Sequence, residues 1–138
     1  MPNLWNIKNI NTNKNPISIL EEQGKELLES TNHKVGASVT TTNDRNGNFL
    51  ITFLITSPIM PNYSFKVLSI TCTPVLYPLT ITCDENIGME LGFLDSNNRI
   101  ACNNYDEFLA FLSHVLGSNY ISQVVGSIMA LANSYVPF

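Results

Sequence analysis

Charge is what this chain has least of. Only 13% of its 138 residues are Asp, Glu, Lys or Arg, where about 25% is ordinary for a globular domain. The deficit falls in two places. From Phe49 to Cys83 the one charged side chain is Lys66, and from Phe108 to Phe138 there is none. A solvated surface mixes charges every few residues, so such stretches are either folded inward or shaped to meet a partner.

Positive charge is scarcer still. The net charge is −4 and the arginines are Arg45 and Arg99 alone. Lys8, Lys14, Lys25, Lys34 and Lys66 are scattered. Phosphate binding needs clustered cations, so no nucleic-acid partner is expected. Long apolar runs are missing too. A spanning helix takes about 20 apolar residues, and the longest run, Phe49–Met60, is broken by Thr52, Thr56, Ser57 and Pro58. The Asn-rich start has none of the features of an export signal. From these traits a cytoplasmic chain, away from membranes, is expected.

Three cysteines is a small, odd number. Structural zinc uses close C-x-x-C pairs, whereas Cys72, Cys83, Cys102 and His114 are spread over separate elements. Reduced, inert thiols in the core or at a sheet edge are expected, with an adventitious Cys72–Cys83 bridge open if the two face each other across a hairpin. Catalytic and cofactor motifs are absent: no nucleophile elbow, no phosphate-binding glycine loop, no paired metal-binding histidines. His33 follows a helix end and His114 lies on the polar side of a helix, so both read as surface or interface residues. Asp44-Arg45-Asn46-Gly47-Asn48 resembles a calcium loop, but Phe49 and Ile55 stand where Gly and Glu are required. It reads instead as a hairpin turn. Glu85, Glu90 and Asp95 read as charges guarding a sheet edge. No catalytic residue, cofactor or metal is assigned.

What is present is a pattern of elements. Residues 1–14 form an arm in which Leu4, Trp5 and Ile7 either fray or dock. Asn15 and Pro16 start a helix over 16–30, with Ile17, Leu20, Leu27 and Leu28 on its apolar side and Ile19 out of phase. Gly24 lies on that apolar side and costs about 1 kcal/mol against Ala, which close packing on a sheet would offset. Strands follow at Val35–Thr42, Phe49–Ser57, Tyr63–Thr71 and Tyr77–Cys83, with a weaker fifth at Ile87–Leu94 and a short sixth at Arg99–Cys102. Asn46-Gly47 predicts a type I′ turn. The run Phe49–Ser57 is apolar almost throughout, which suggests cover on both faces. Two helices close the chain, the first with Phe108, Phe111, Leu112, Val115 and Leu116 inward. The second runs from about Asn119 to Asn133, with Ile121, Val124, Val125, Ile128, Met129, Leu131 and Ala132 on one arc.

This order predicts an α+β fold in residues 15–138. It is an antiparallel meander of five to six strands, with one helix before it and two C-terminal helices packed on one sheet face. On the last helix, Ser122, Gly126, Ala130 and Ser134 make an uncharged row of small side chains that lets another backbone come close. That row, with Trp5, is the expected interface. The function expected is a non-catalytic, protein-binding or inhibitor-type protein of the small bacterial or phage kind, acting as a homo-oligomer. Two alternatives remain. One is a small-molecule binder or enzyme with Thr52, Thr80, Thr82, Tyr63 and Tyr77 around a pocket over the sheet. The other is a secretion-type chaperone.

Overall fold

The computed structural model describes residues 1–7 and 15–135. The remainder of the expected arm, residues 8–14, and the last three residues lie outside the described part. The first helix, α1 (Pro16–Ser30), starts where Asn15 caps it: the Asn15 side chain accepts the Ile17 N–H at 2.8 Å. Five strands follow, β1 (Gly36–Asn43), β2 (Phe49–Thr56), β3 (Ser64–Cys72), β4 (Leu79–Cys83) and β5 (Arg99–Cys102). They pair antiparallel in chain order, β1-β2-β3-β4-β5. A helix α2 (Glu85–Leu91) bridges β4 and β5, and α3 (Tyr105–Leu116) and α4 (Asn119–Ser134) end the chain. The α+β meander expected from the sequence is the observed fold.

Alternation decides which side of the sheet is covered. Ile51, Phe53 and Ile55 of β2 are buried, and the register sets them beside Ile70 and Leu68 of β3, then Ile81 and Cys83 of β4. Each fully buried side chain of this size is worth about 1.5–3 kcal/mol relative to exposure, so this face holds most of the core. α1, α3 and α4 all pack on it. Phe53 and Ile55 line one cleft together with Leu27 of α1, Leu116 of α3 and Ile121 of α4. The opposite face is open. Leu50 is 44% exposed, Thr40, Thr42, Thr71 and Thr80 are exposed, and Leu54 is half-buried. The double cover inferred from the apolar run of β2 is therefore not found: its second set of apolar side chains faces outward among threonines.

Three further expectations change. Ile87–Leu94 is not a strand. Asp84 accepts the Asn86 N–H at 2.9 Å to start α2, and Gly92, at φ +77°, stops it with its N–H on the Gly88 carbonyl at 3.0 Å. These are ordinary helix start and stop signals. They leave Arg99–Cys102 as the fifth strand rather than a sixth. In β3, Phe53 pairs with Leu68 but Leu54 with Lys66, which leaves Val67 as a bulge. Strict alternation sets Tyr63, Phe65 and Val67 on one face and Leu68 and Ile70 on the other, but one inserted residue reverses it, so Phe65 shares the inner face with Leu68 and Ile70. The β1–β2 loop is wider than a type I′ turn. Only Gly47 is left-handed, at φ +80°, with the Asp44 N–H on the Asn48 carbonyl at 3.0 Å and the Gly47 N–H on the Asp44 carbonyl at 3.2 Å. Among smaller points, Ile19 packs partly buried against the core, and Leu131 is 59% exposed rather than buried.

Gly24 has the role expected of it. A Cβ there would sit 3.1 Å from the Ala37 Cβ and 3.5 Å from its carbonyl oxygen, so the glycine lets α1 rest directly on β1. Gly24→Val is expected to lower stability by about 1–3 kcal/mol through overpacking, measured by urea unfolding. A variant as stable as the parent would show that α1 is not seated there.

Candidate interaction surface

The small-residue row stands on a helix held at both ends. At the α4 N-terminus the first backbone N–H groups have no intrahelical partners. Glu90 of α2 supplies them, its carboxylate accepting the Asn119 N–H at 2.7 Å and the Tyr120 N–H at 2.8 Å. Ser118 accepts the Ile121 N–H at 3.2 Å. An anion at this end also suits the helix dipole. Asn86 donates to the Tyr120 hydroxyl at 3.2 Å, and Phe65 meets the Tyr120 ring with centroids 6.1 Å apart. Near the other end, the Lys34 ammonium bonds the Asn133 side chain. Ile121, Ile128 and Ala132 are buried beneath.

That seating fixes the outward face. Ser122, Gly126, Ala130 and Ser134 are all exposed, and a Cβ added at Gly126 would meet nothing within 4 Å. Leu131 lies exposed on the same helix. The face is thus uncharged and free of other chain segments among the described residues. Trp5 does not join it by any docking on the body: its side chain is 80% exposed, and its backbone N–H turns back to the Asn3 side chain at 3.1 Å.

The residues considered for a pocket over the sheet do not come together. Thr52, Thr80 and Thr82 lie on the open face, because they alternate with Ile51, Phe53, Leu79 and Ile81. Tyr63 and Tyr77 pack against the core on the other side. Burial raises both phenols, Tyr77 to about 12, with Tyr105 adding to the Tyr77 shift. The helix-side cleft between α1 and α4 has a volume of about 180 Å³ and is lined by apolar side chains together with Gln23, Glu26 and Ser30.

Two of the acidic residues, Glu90 and Asp95, also organise a helix end and a loop. Glu90 holds α4, as described. Asp95 accepts the Asn97 N–H at 2.8 Å and the Arg99 N–H at 3.0 Å, and it pairs with the Arg99 guanidinium at 3.4 Å. Asp44 does the same in its own loop, accepting the Asn46 and Asn48 N–H groups at 2.8 and 3.0 Å and the Asn48 side chain at 3.2 Å. Its oxygens are thereby committed within the loop that resembled a calcium site. Among the described residues no three His, Cys, Asp or Glu side chains converge to hold a metal ion. His33, left-handed at φ +64°, and His114 are both exposed. The His114 ring meets Phe93 edge-on at 6.1 Å.

The three cysteines are buried and free. Cys72 pairs with Leu79 and Cys83 with Leu68, so the two do not face each other across the hairpin. Burial pushes the Cys83 thiol up to about 12 and the Cys102 thiol to about 11, with Asp84 and Glu107 respectively contributing, and it raises Cys72 as well. No single described helix is long and apolar enough to cross a membrane. α3 and α4 reach that composition only as a pair bent by 54°, and both lay their apolar stripes on the sheet. Comparison with protein-family models, with curated proteins and with solved structures finds no match to this chain.

Two predictions follow from these groups. Protonated, buried thiols are poor nucleophiles, so an aromatic disulfide reagent is expected to find no reactive thiol in the native protein and all three after denaturation. A native thiol reacting as fast as free cysteine would contradict this burial. The Asp44 and Asp95 carboxyls both lie below the unfolded value of 3.8, held down chiefly by the Asn48 and Arg99 backbone N–H groups respectively. A depressed folded pKa contributes stability that is present above the unfolded value and lost as pH falls through the folded one. Replacing both by Asn is expected to flatten the fall of the urea midpoint, roughly between pH 5 and pH 2. An unchanged acid slope would remove these two loops as its source.

Proposed function

We propose that this chain is a non-catalytic binding protein that works through protein–protein contacts, assembling with itself through the outward face of α4. The observation that carries this reading is that face: an exposed, uncharged row, Ser122, Gly126, Ala130 and Ser134, on a helix anchored at both ends. A face that only meets water gains solubility from Lys or Glu at no packing cost. Here all sixteen residues of α4 are uncharged. Gly126 and Ala130 carry no atom beyond a Cβ and the two serines only a hydroxyl, which lets a second backbone approach closely, and the exposed Leu131 adds apolar area beside it. The small-molecule reading loses its support, since its threonines and tyrosines lie on opposite faces of the sheet.

The test is mass in solution by light scattering. Ala130→Glu places a carboxylate on the exposed row without disturbing the core, and it is expected to lower the mass of the assembly. Gly126→Ala is expected to stabilise the chain itself by about 1 kcal/mol, because the methyl meets open space and Ala favours helix, while weakening the assembly. If Ala130→Glu leaves mass, solubility and partner binding unchanged, the reading is wrong.

A further inference from the structure

The two edges of the sheet are unlike. β5 is four residues long and opens with Arg99, which is ion-paired to Asp95. Short, charged strands are how sheets discourage further pairing. β1 has none of these devices. It is eight residues long, Gly-Ala-Ser-Val-Thr-Thr-Thr-Asn, without charge or proline. Its register with β2 runs unbroken from Gly36↔Thr56 to Asn43↔Phe49, so no bulge twists it away. Among the described residues no strand lies on its outer side.

The direction of its amides can be read from the loop. The Asp44 N–H reaches across to the Asn48 carbonyl. Backbone groups alternate along an antiparallel strand, so Thr42, Thr40 and Ser38 aim theirs at β2. Val39, Thr41 and Asn43 then aim theirs at the free edge. The Gly36 end is closed by Leu28, whose Cδ1 would sit 3.3 Å from a Cβ there. From Thr40 to Asn43 the strand is exposed. Beside it runs a groove of about 330 Å³ between α1 and the edge, walled by Glu21, Lys25, Val39 and Pro58 among others.

We propose that the β1 edge pairs antiparallel with β1 of a second copy of this chain, joining two five-stranded sheets about a two-fold axis. The proposal deepens the protein-binding reading and rests on it, naming the partner and adding a second contact to that of α4. Self-pairing is favoured by charge. Across a two-fold axis a strand meets its own residues in reverse order, and a charged strand would meet its like, but β1 carries no charge to repel. The groove beside it carries one charge of each sign, Glu21 and Lys25, so it presents no single-sign field to a second copy.

The test combines both contacts. Thr41→Pro removes a donor from the free edge without removing one from the β1–β2 ladder. In the Ala130→Glu background, the remaining assembly is expected to weigh twice the 15.3 kDa chain, and adding Thr41→Pro is expected to halve it. Hydrogen exchange on the unsubstituted protein gives a second measure should the proline variant fail to fold. The Val39 and Thr41 amides are expected to be protected when concentrated and to exchange quickly on dilution, with Thr40 protected in both. A mass unchanged by Thr41→Pro, or Val39 and Thr41 amides that exchange quickly at every concentration, overturns the proposal. Loss of the dimer on Trp5→Ala assigns the edge to the N-terminal arm and also overturns it. If Ala130→Glu alone gives single chains, the β1 contact is refuted and the α4 reading stands. If Ala130→Glu changes nothing and Thr41→Pro gives single chains, the α4 reading falls and the β1 contact stands.

Discussion

The two-residue period of a β-strand is the constraint on which the rest of this structure depends. Once Ile51, Phe53 and Ile55 turn to one side, Leu50, Thr52 and Leu54 must turn to the other. Antiparallel pairing carries that choice from strand to strand, to Ile70 and then Ile81. Only one face becomes continuously apolar, so every helix with an apolar stripe has to return to it. α1 arrives first, brought close by Gly24, and α3 and α4 fill the remaining area. The open face, rich in threonine, follows from the same choice.

A second layer of control comes from small polar contacts at chain reversals. Glu90, on a helix of only seven residues, satisfies two backbone donors of α4 and so fixes where the longest helix begins. Asp44 and Asp95 build two loops on one plan. In each, the carboxylate accepts N–H groups two and four residues on, and a left-handed residue, Gly47 or Asn98, closes the turn. Several of the few carboxylates in this sequence, Asp44, Asp84, Glu90, Asp95 and Glu107, thus accept backbone N–H groups at turns and helix starts. That explains how a chain so poor in charge keeps well-defined ends to its elements.

Much of the fold was legible because its signals are local. Asn15 followed by Pro16 located α1. Pro78 marks either an edge strand or a strand that starts late; β4 starts late, at Leu79, and lies between β3 and β5, not at an edge. Alternation of Leu79, Thr80, Ile81 and Thr82 gave the faces of β4. The errors arose where a local pattern had two readings. Gly88 and Gly92 looked like interruptions of a strand, whereas Gly92 stops a helix that Asp84 starts. The bulge at Val67 leaves no mark in composition, since Val is equally at home on either face. Leu50 and Leu54 suggested cover on both sides, yet an apolar side chain does not itself create a neighbour to bury it. At the α4 surface, a helical wheel found the exposed row, because spacing alone sets it. It could not find Glu90 or Lys34, whose partners are distant in sequence. The edge amides of β1 were likewise beyond reach until the register was known.

The strand order has a consequence for how the chain comes into being. Because each strand pairs with the one made just before it, the sheet can zip up from nearby pieces at little cost in loop closure. Its apolar side, however, is completed only by residues 105–134, the last to be synthesised among those described. A chain whose α3 and α4 are displaced therefore bares part of the apolar face around Leu68 and Ile81, and such a surface is prone to stick to others like it. The two C-terminal helices thus guard the solubility of a sheet whose strands pair without them.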